Sequence, residues 1–283
     1  MNTTIVHIPI PHLCVVTAAD LEFRAVSRRL EERIYTQTDG LKTCQGRAGR
    51  NLITVLQSEI GARGFKEKLT ALLRANSYDA VLILGLAGAL TPDLKTGEVI
   101  FYDTCFSFRP EMEITTENEQ VLAADQTSIC DFQISSALRQ SLLADGLECM
   151  FGTGLTLDFM VTSAEEKLAM GESYGAAAVD MESYDVISVA TELGLPTIVL
   201  RVILDEAEQK TPDFNMALSA EGKLNNVKSL LAMAMRPFAA VRFLYSLVRA
   251  QRVLAHAARL ALQTEAKILR PSQALVLARK MSV

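Results

Sequence analysis

The runs Val179-Asp180-Met181-Glu182-Ser183 and Arg201-Val202-Ile203-Leu204-Asp205 each bring a carboxylate to the end of a short apolar segment. Two carboxylates in one crevice suit cleavage of a bond to a sugar. An ionised Glu182 can accept hydrogen bonds from vicinal ribose hydroxyls and stabilise positive charge developing on the ring. Asp205, if burial raises its pKa from about 3.9, can stay protonated and donate to a leaving base. The division of labour parallels glycoside hydrolysis, in which one acid and one anion flank an oxocarbenium-like transition state. Each group alone also has a structural explanation, Asp180 as a helix cap and Glu182 with Arg201 as an ion pair.

These groups need elements to hold them. Ala176-Ala177-Ala178-Val179 is a short apolar run. After it, Val186, Ile187, Val189, Ala190 and Leu193 recur at helical spacing, and Gly194 and Pro196 end the helix. Residues 197–203 have the β-branched character of a core strand. Alternation along it predicts Arg201, Ile203 and Asp205 on one face, with Arg201 a further candidate contact to a substrate. A carboxylate leaving the carboxyl end of a parallel strand lies where open α/β sheets bind ligands. A second buried strand, from Val81, runs into Gly85-Leu86-Ala87-Gly88. Gly85, Ala87 and Gly88 would let a ligand approach the backbone closely, although a tight turn explains the same residues.

The rest of the chain supplies a sheet with helices around it. The pattern predicts a first strand at residues 13–17, a helix over 20–33, a hairpin of 41–47 and 51–58, and a helix over 61–76. Strands follow at 80–85 and 97–104, then a helix over 131–145, an extended segment over 149–159 and a helix over 164–174. This is an α/β fold: a mixed, mostly parallel central sheet flanked by helices. Residues 110–127 are polar and acidic and read as a surface loop. With 49% hydrophobic and 22% charged residues the chain is an ordinary globular protein. Its five cysteines show no Cys-x-x-Cys spacing and read as reduced thiols of a cytoplasmic protein. The three histidines lie outside every motif, which argues against a histidine triad or a metal site. The N-terminus is uncharged as far as Asp20, but it lacks a basic start and is interrupted by His7, Pro9, Pro11 and His12. It reads as an extension ahead of the first strand. No apolar run is long enough to span a bilayer.

In order and spacing, the Gly85 and Glu182 segments resemble the purine nucleoside phosphorylase and nucleosidase superfamily, over residues from about 14 to 212. The resemblance implies a nucleoside phosphorylase-like fold, a purine nucleoside as substrate and N-glycosidic cleavage without a cofactor, with inorganic phosphate as the one conceivable co-substrate. It places Met181 and Glu182 on the ribose and Asp205 at N7 of the purine. Ala18-Ala19-Asp20-Leu21-Glu22 looks like the nucleosidase opening whose last Glu orients the attacking water, so Glu22 is the candidate general base; a first-turn acid at a helix N-terminus accounts for it equally. Leu157-Asp158-Phe159-Met160-Val161 resembles the segment that covers the purine and reads its edge, with Phe159 or Met160 as the stacking residue. Ser58-Glu59-Ile60-Gly61-Ala62-Arg63 aligns with a loop near ribose or phosphate. Leu86, Ala89 and Leu204 replace small or polar family residues, which implies a greasier pocket. The Gly-x-Pro-x-Arg loop of phosphate-using members is absent, favouring water as nucleophile, while Arg24 and Arg63 remain candidates to hold a phosphate. The family forms dimers or trimer-based hexamers, so a homo-oligomer is expected.

The last part of the chain differs in charge. From Gly222 onward there are eleven Lys or Arg and one acid, against a net charge of −5 for the whole chain. The division is therefore residues 1–221 as the α/β domain and 222–283 as a basic helical C-terminal extension. Arg242, Arg249, Arg252 and Arg259 interleave with apolar residues, as in a helix lying on an anionic membrane, or packed on the acidic body or on a second subunit. Nucleic acid is not indicated, since aromatics are few and no nucleic-acid motif accompanies the charge. The Val-Asp-Met-Glu-Ser, Gly-Leu-Pro and Leu-Arg-Val-Ile-x-Asp runs, with the arginine-rich tail, resemble the hopanoid-associated phosphorylases. That resemblance implies an adenosyl lipid as substrate and a cytoplasmic enzyme, peripheral on the inner membrane face.

Overall fold

In the computed structural model the described residues are 10–38, 40–58, 64–108, 127–219 and 225–264. Arg63 with its loop, nearly all of the acidic segment 110–127 and most of the N-terminal extension lie outside them. The chain builds β1 (His12–Thr17), α1 (Asp20–Ser27), β2 (Glu31–Thr38), β3 (Leu41–Ala48), β4 (Asn51–Gln57), α2 (Phe65–Ala75) and β5 (Ala80–Ala89). There follow β6 (Val99–Ser107), β7 (Thr127–Ile129), α3 (Phe132–Ala144), β8 (Cys149–Thr156), α4 (Ala164–Tyr174) and β9 (Ala178–Asp180). The last elements are α5 (Ser183–Glu192), β10 (Thr197–Asp205), α6 (Asn226–Met235) and α7 (Pro237–Leu262).

All the strands join one mixed sheet, with helices packed around it. Strands β4, β1, β5 and β10 run parallel as its middle. Beyond β4 the sheet continues antiparallel through β3 to β2. On the other side it closes on itself: β10 pairs β6, β6 pairs β8, β8 pairs β9, and β9 returns to β5.

Local chemistry sets the helix ends. Asp131 caps α3 by accepting from the Ile134 amide at 3.0 Å, and Ser163 caps α4 by accepting from Glu166 at 3.0 Å. After α5, Gly194 takes the left-handed conformation (φ 69°) that stops a helix. Two expectations are corrected. The helix expected over 20–33 ends at Ser27: the Arg29 and Leu30 amides donate back to the Val26 and Ser27 carbonyls in a tight turn, and from Glu31 the chain forms β2, an edge strand with an irregularity at Glu32 (φ 52°). On β10, the register slips between Ile203 and Asp205. Such a bulge takes Asp205 off the face shared by Arg201 and Ile203.

The C-terminal helix is part of the body. Ala250, Leu254, Ala257, Ala258 and Ala261 of α7 are buried in the same core as Leu13 and Val15 of β1 and Leu82 of β5. Small side chains let α7 approach closely, and the Asn51 amide donates to the carbonyls of Leu262 and Thr264 at 2.8 and 2.9 Å. Arg242 and Arg259 pair with the body acids Glu206 and Asp145 at 3.6 and 3.5 Å. Among the described residues no single helix is long and apolar enough to cross a membrane.

Candidate active site

A cavity of about 370 Å³ opens at the carboxyl ends of β1, β5, β9 and β10. It is lined by Glu22, Ala87, Gly88, Met181, Glu182 and Asp205, by Phe159, Met160 and Val161, and by residues of α6 and α7. The ladder explains how distant motifs meet. Gly88 is the register partner of Asp205 on one side and of Val179 on the other, so the end of β5 lies between the two carboxylate motifs. A Cβ at Gly88 would come within 3.3 Å of both Asp205 and Val179, which is why a small residue suits this seam.

Glu22 is buried at the start of α1. Its Oε2 accepts from the amides of Ala18 and Ala19 at 2.9 and 3.0 Å, and its Oε1 accepts from the Leu86 amide at 2.7 Å. The carboxylate thus ties the β1–α1 turn to the end of β5 and holds one fixed orientation at the cavity wall.

Glu182 is backed by a buried ionic cluster. Arg201 lies behind the cavity, only 1% exposed, with Nε 3.1 Å from Asp180 Oδ2 and Nη2 3.4 Å from Glu182 Oε2. Asp180 Oδ1 accepts from the amides of Glu182 and Ser183 and from the Thr156 hydroxyl at 2.9–3.1 Å. It thereby fixes the turn that presents Glu182 from two residues ahead of the cap position of α5, which Glu182 itself occupies. Burial by itself lowers the pKa of Arg201, but the carboxylates of Asp180 and Glu182 outweigh it and raise the pKa above the ordinary arginine value. A cation held this firmly orients Glu182 for acceptor work.

Asp205 has a partner that sequence reading missed. Lys167 of α4 is completely buried; its ammonium donates to Asp205 Oδ2, to the Gln209 carbonyl at 2.9 Å and to the Glu206 carbonyl at 3.2 Å. Burial pushes the Asp205 carboxyl above the ordinary carboxylate range, and Lys167 draws it back only in part. Nothing in Ala164-Glu165-Glu166-Lys167 marks that lysine as buried; the sequence alone reads as the polar start of a helix.

Three expected site residues are placed elsewhere. Arg201 supports Glu182 from the core and does not line the cavity. Gly85 lies behind it too, where an added Cβ would come within 2.4 Å of Arg201 Nη1 and 2.9 Å of Glu22 Oε1, so its role is close packing. Arg24 is exposed and held by Asp20 at 2.7 Å, outside the lining. Conversely, Phe243, Leu244 and Leu247 of α7 form a wall that was not anticipated, with Phe214 and Phe243 stacked at a tilt 5.3 Å apart. Leu86 and Leu204 line the cavity as well, so its walls are predominantly apolar around the four carboxylates of Glu22, Asp180, Glu182 and Asp205. Among the described residues no group of His, Cys, Asp or Glu could hold a metal ion.

Such a site can anchor a polar sugar, hold a proton for a leaving group and orient a nucleophile, while its apolar walls take the rest of a ligand. The chain is similar to proteins that do related chemistry. It is 30% identical over 171 residues to an aminodeoxyfutalosine nucleosidase of Helicobacter pylori strain J99, covering 56% of this chain and 69% of that one. A 5′-methylthioadenosine/S-adenosylhomocysteine nucleosidase of Geobacillus thermodenitrificans is 25% identical over 215 residues, 74% of this chain and 90% of that one. In fold it matches an S-adenosylhomocysteine nucleosidase from Streptococcus pyogenes with a TM-score of 0.69 at 18% identity, over 91% of this chain and 98% of the other. The phosphorylase superfamily pattern runs through residues 12–238, and the chain belongs to that superfamily.

Proposed function

We propose that the cavity binds a purine nucleoside, with adenine as its base, and hydrolyses the N-glycosidic bond through an oxocarbenium-like transition state. The chain is an enzyme that cleaves N-glycosidic bonds of purine nucleosides. The observation that carries the reading is the convergence of Glu22, Glu182 and Asp205 on one largely apolar cavity. Glu182, steadied by Arg201, accepts from the ribose hydroxyls beside Met181. Asp205 gives a proton to the purine at N7, and Glu22 orients water against the anomeric carbon. Phe159 or Met160 covers the base, and the segment to Val161 lies along its edge. Acid, base and sugar anchor are all side chains, so no cofactor is needed.

Water is favoured over phosphate because Arg24 is engaged with Asp20 at the surface, away from the lining. The wall of Phe243, Leu244 and Leu247 suits an apolar 5′ substituent, and an adenosyl lipid of hopanoid synthesis is the substrate it fits best. A cytoplasmic setting accords with five buried cysteines free of disulfides, and exposed Ile129 and Phe132 offer apolar surface for a homo-oligomer.

The test is free adenine, measured by chromatography, from 5′-methylthioadenosine and a series of longer 5′-alkylthioadenosines. Release without phosphate is expected; release only with phosphate makes the enzyme a phosphorylase, and binding without release makes it a nucleoside-binding protein. Each methylene buried against the apolar wall adds about 0.8 kcal/mol, about fourfold in kcat/KM. A flat series overturns the lipid-linked assignment.

Lys167 gives a second handle. Activity that depends on a protonated Asp205 is full below its pKa and falls as pH rises through it. Lys167 lowers that pKa, so Lys167→Met moves the alkaline limb of the pH profile upward. An unmoved or lowered limb removes Asp205 as the titrating acid.

A further inference from the structure

The part of α7 that does not reach the core meets α6 at an elbow of 117°, and the outer surface of that elbow is apolar. Phe238 is 92% exposed and Val227 77%, and Leu230, Met235, Val241 and Tyr245 are likewise exposed. Phe238, Val241, Tyr245 and Val248 fall at spacings of three and four, one stripe of a helix. Residues 225–264 hold five arginines and one lysine and no acid. Lys228, Arg249 and Arg252 are exposed on these helices. The mouth of the cavity adjoins the same elements: Leu244 lines it while remaining 48% exposed, and Met233 and Leu247 line it from α6 and α7.

We propose that the α6–α7 elbow docks on an anionic lipid bilayer and that the cavity opens toward that bilayer, so an amphiphilic nucleoside enters it directly from the leaflet. An exposed apolar stripe flanked by cations is the surface that inserts at the headgroup boundary and draws on anionic lipid. A second copy of the chain fits this face poorly: a two-fold contact would set an acid-free, positively charged surface against itself. The direction of entry rests on the cavity being the nucleoside site, but the docking is read without any substrate.

The full chain is mixed with vesicles of phosphatidylcholine, or of phosphatidylcholine with phosphatidylglycerol, and sedimented, while hydrolysis of 5′-methylthioadenosine is followed separately. Binding to the anionic vesicles alone or preferentially is expected. Phe238→Asp with Val241→Asp should reduce it at least about tenfold, and Arg252→Gln about fivefold. Neither change touches the cavity lining, so hydrolysis of the soluble nucleoside stays at the wild-type rate. Failure to sediment with either vesicle overturns the docking, as does equal binding by the aspartate variant. A particle mass, by light scattering, that falls in the aspartate variant alongside absent vesicle binding identifies the face as a contact between copies. Loss of hydrolysis in wild-type protein would overturn the reading of the cavity and leave the docking result standing.

Discussion

Asp205→Asn lowers adenine release by at least about 10²-fold, with substrate affinity changed far less. The asparagine keeps the size of the side chain and an oxygen that can accept from Lys167, so the buried ammonium retains its partners. What is lost is a transferable proton, because an amide can donate a hydrogen bond to N7 but cannot protonate it. The purine then leaves as an anion instead of a neutral base, and the loss belongs in kcat. Single-turnover release measured beside equilibrium binding of a nucleoside separates the two effects. Wild-type turnover in the variant would falsify the acid assignment, and equal losses in binding and turnover would make Asp205 an anchor.

Glu22→Gln is the second large effect, expected at roughly 10²–10⁴-fold in turnover. It differs from the first in its structural side-effect. The carboxylate accepts from three amides through both oxygens, and a glutamine has one oxygen to offer. Its NH₂ must face either the Leu86 amide or the pair at Ala18 and Ala19, leaving a buried donor unpaired at a cost of about 1–3 kcal/mol. Denaturant unfolding should therefore show a loss of that size beside the kinetic one. The readout specific to chemistry is the split between single-turnover release, which falls, and equilibrium binding of a nucleoside, which stays near the wild-type value. Lost stability with turnover near the wild-type value would return Glu22 to a purely structural role.

Much of this arrangement could be read from residue order, where local chemistry and tertiary fate agree. The strand over 197–203 and the helix over 164–174 were legible because β-branched content and capping residues act within a few positions. The meeting of Glu182, Asp205 and the Gly85 segment was legible through resemblance, and the ladder supplies its cause in the pairing of Gly88 with both neighbours. Features decided at long range were not legible. Residues 28–32 are mostly charged and helix-prone, so the turn at Arg28–Leu30, which carries neither Gly nor Pro, left no signal before β2. Lys167 looks like any solvent-facing lysine of an amphipathic helix until α4 is laid against the end of β10. The tail showed its arginines plainly, but its role as a wall depends on an alanine-rich face finding the sheet, and alanines announce no partner.

The closure of the sheet through β5, β10, β6, β8 and β9 bears on how this enzyme can change. A strand in an open sheet can slip by pushing aside one neighbour. In a closed circuit a slip must be matched at every seam and return to its origin, so the spacing between Asp205 and the Glu182 turn is locked by topology. The helices that form the apolar wall lie outside that circuit. On the proposed assignment, substrate range and chemistry are therefore carried by mechanically separate parts: the wall can be remodelled for a different 5′ group while the carboxylates keep their separation.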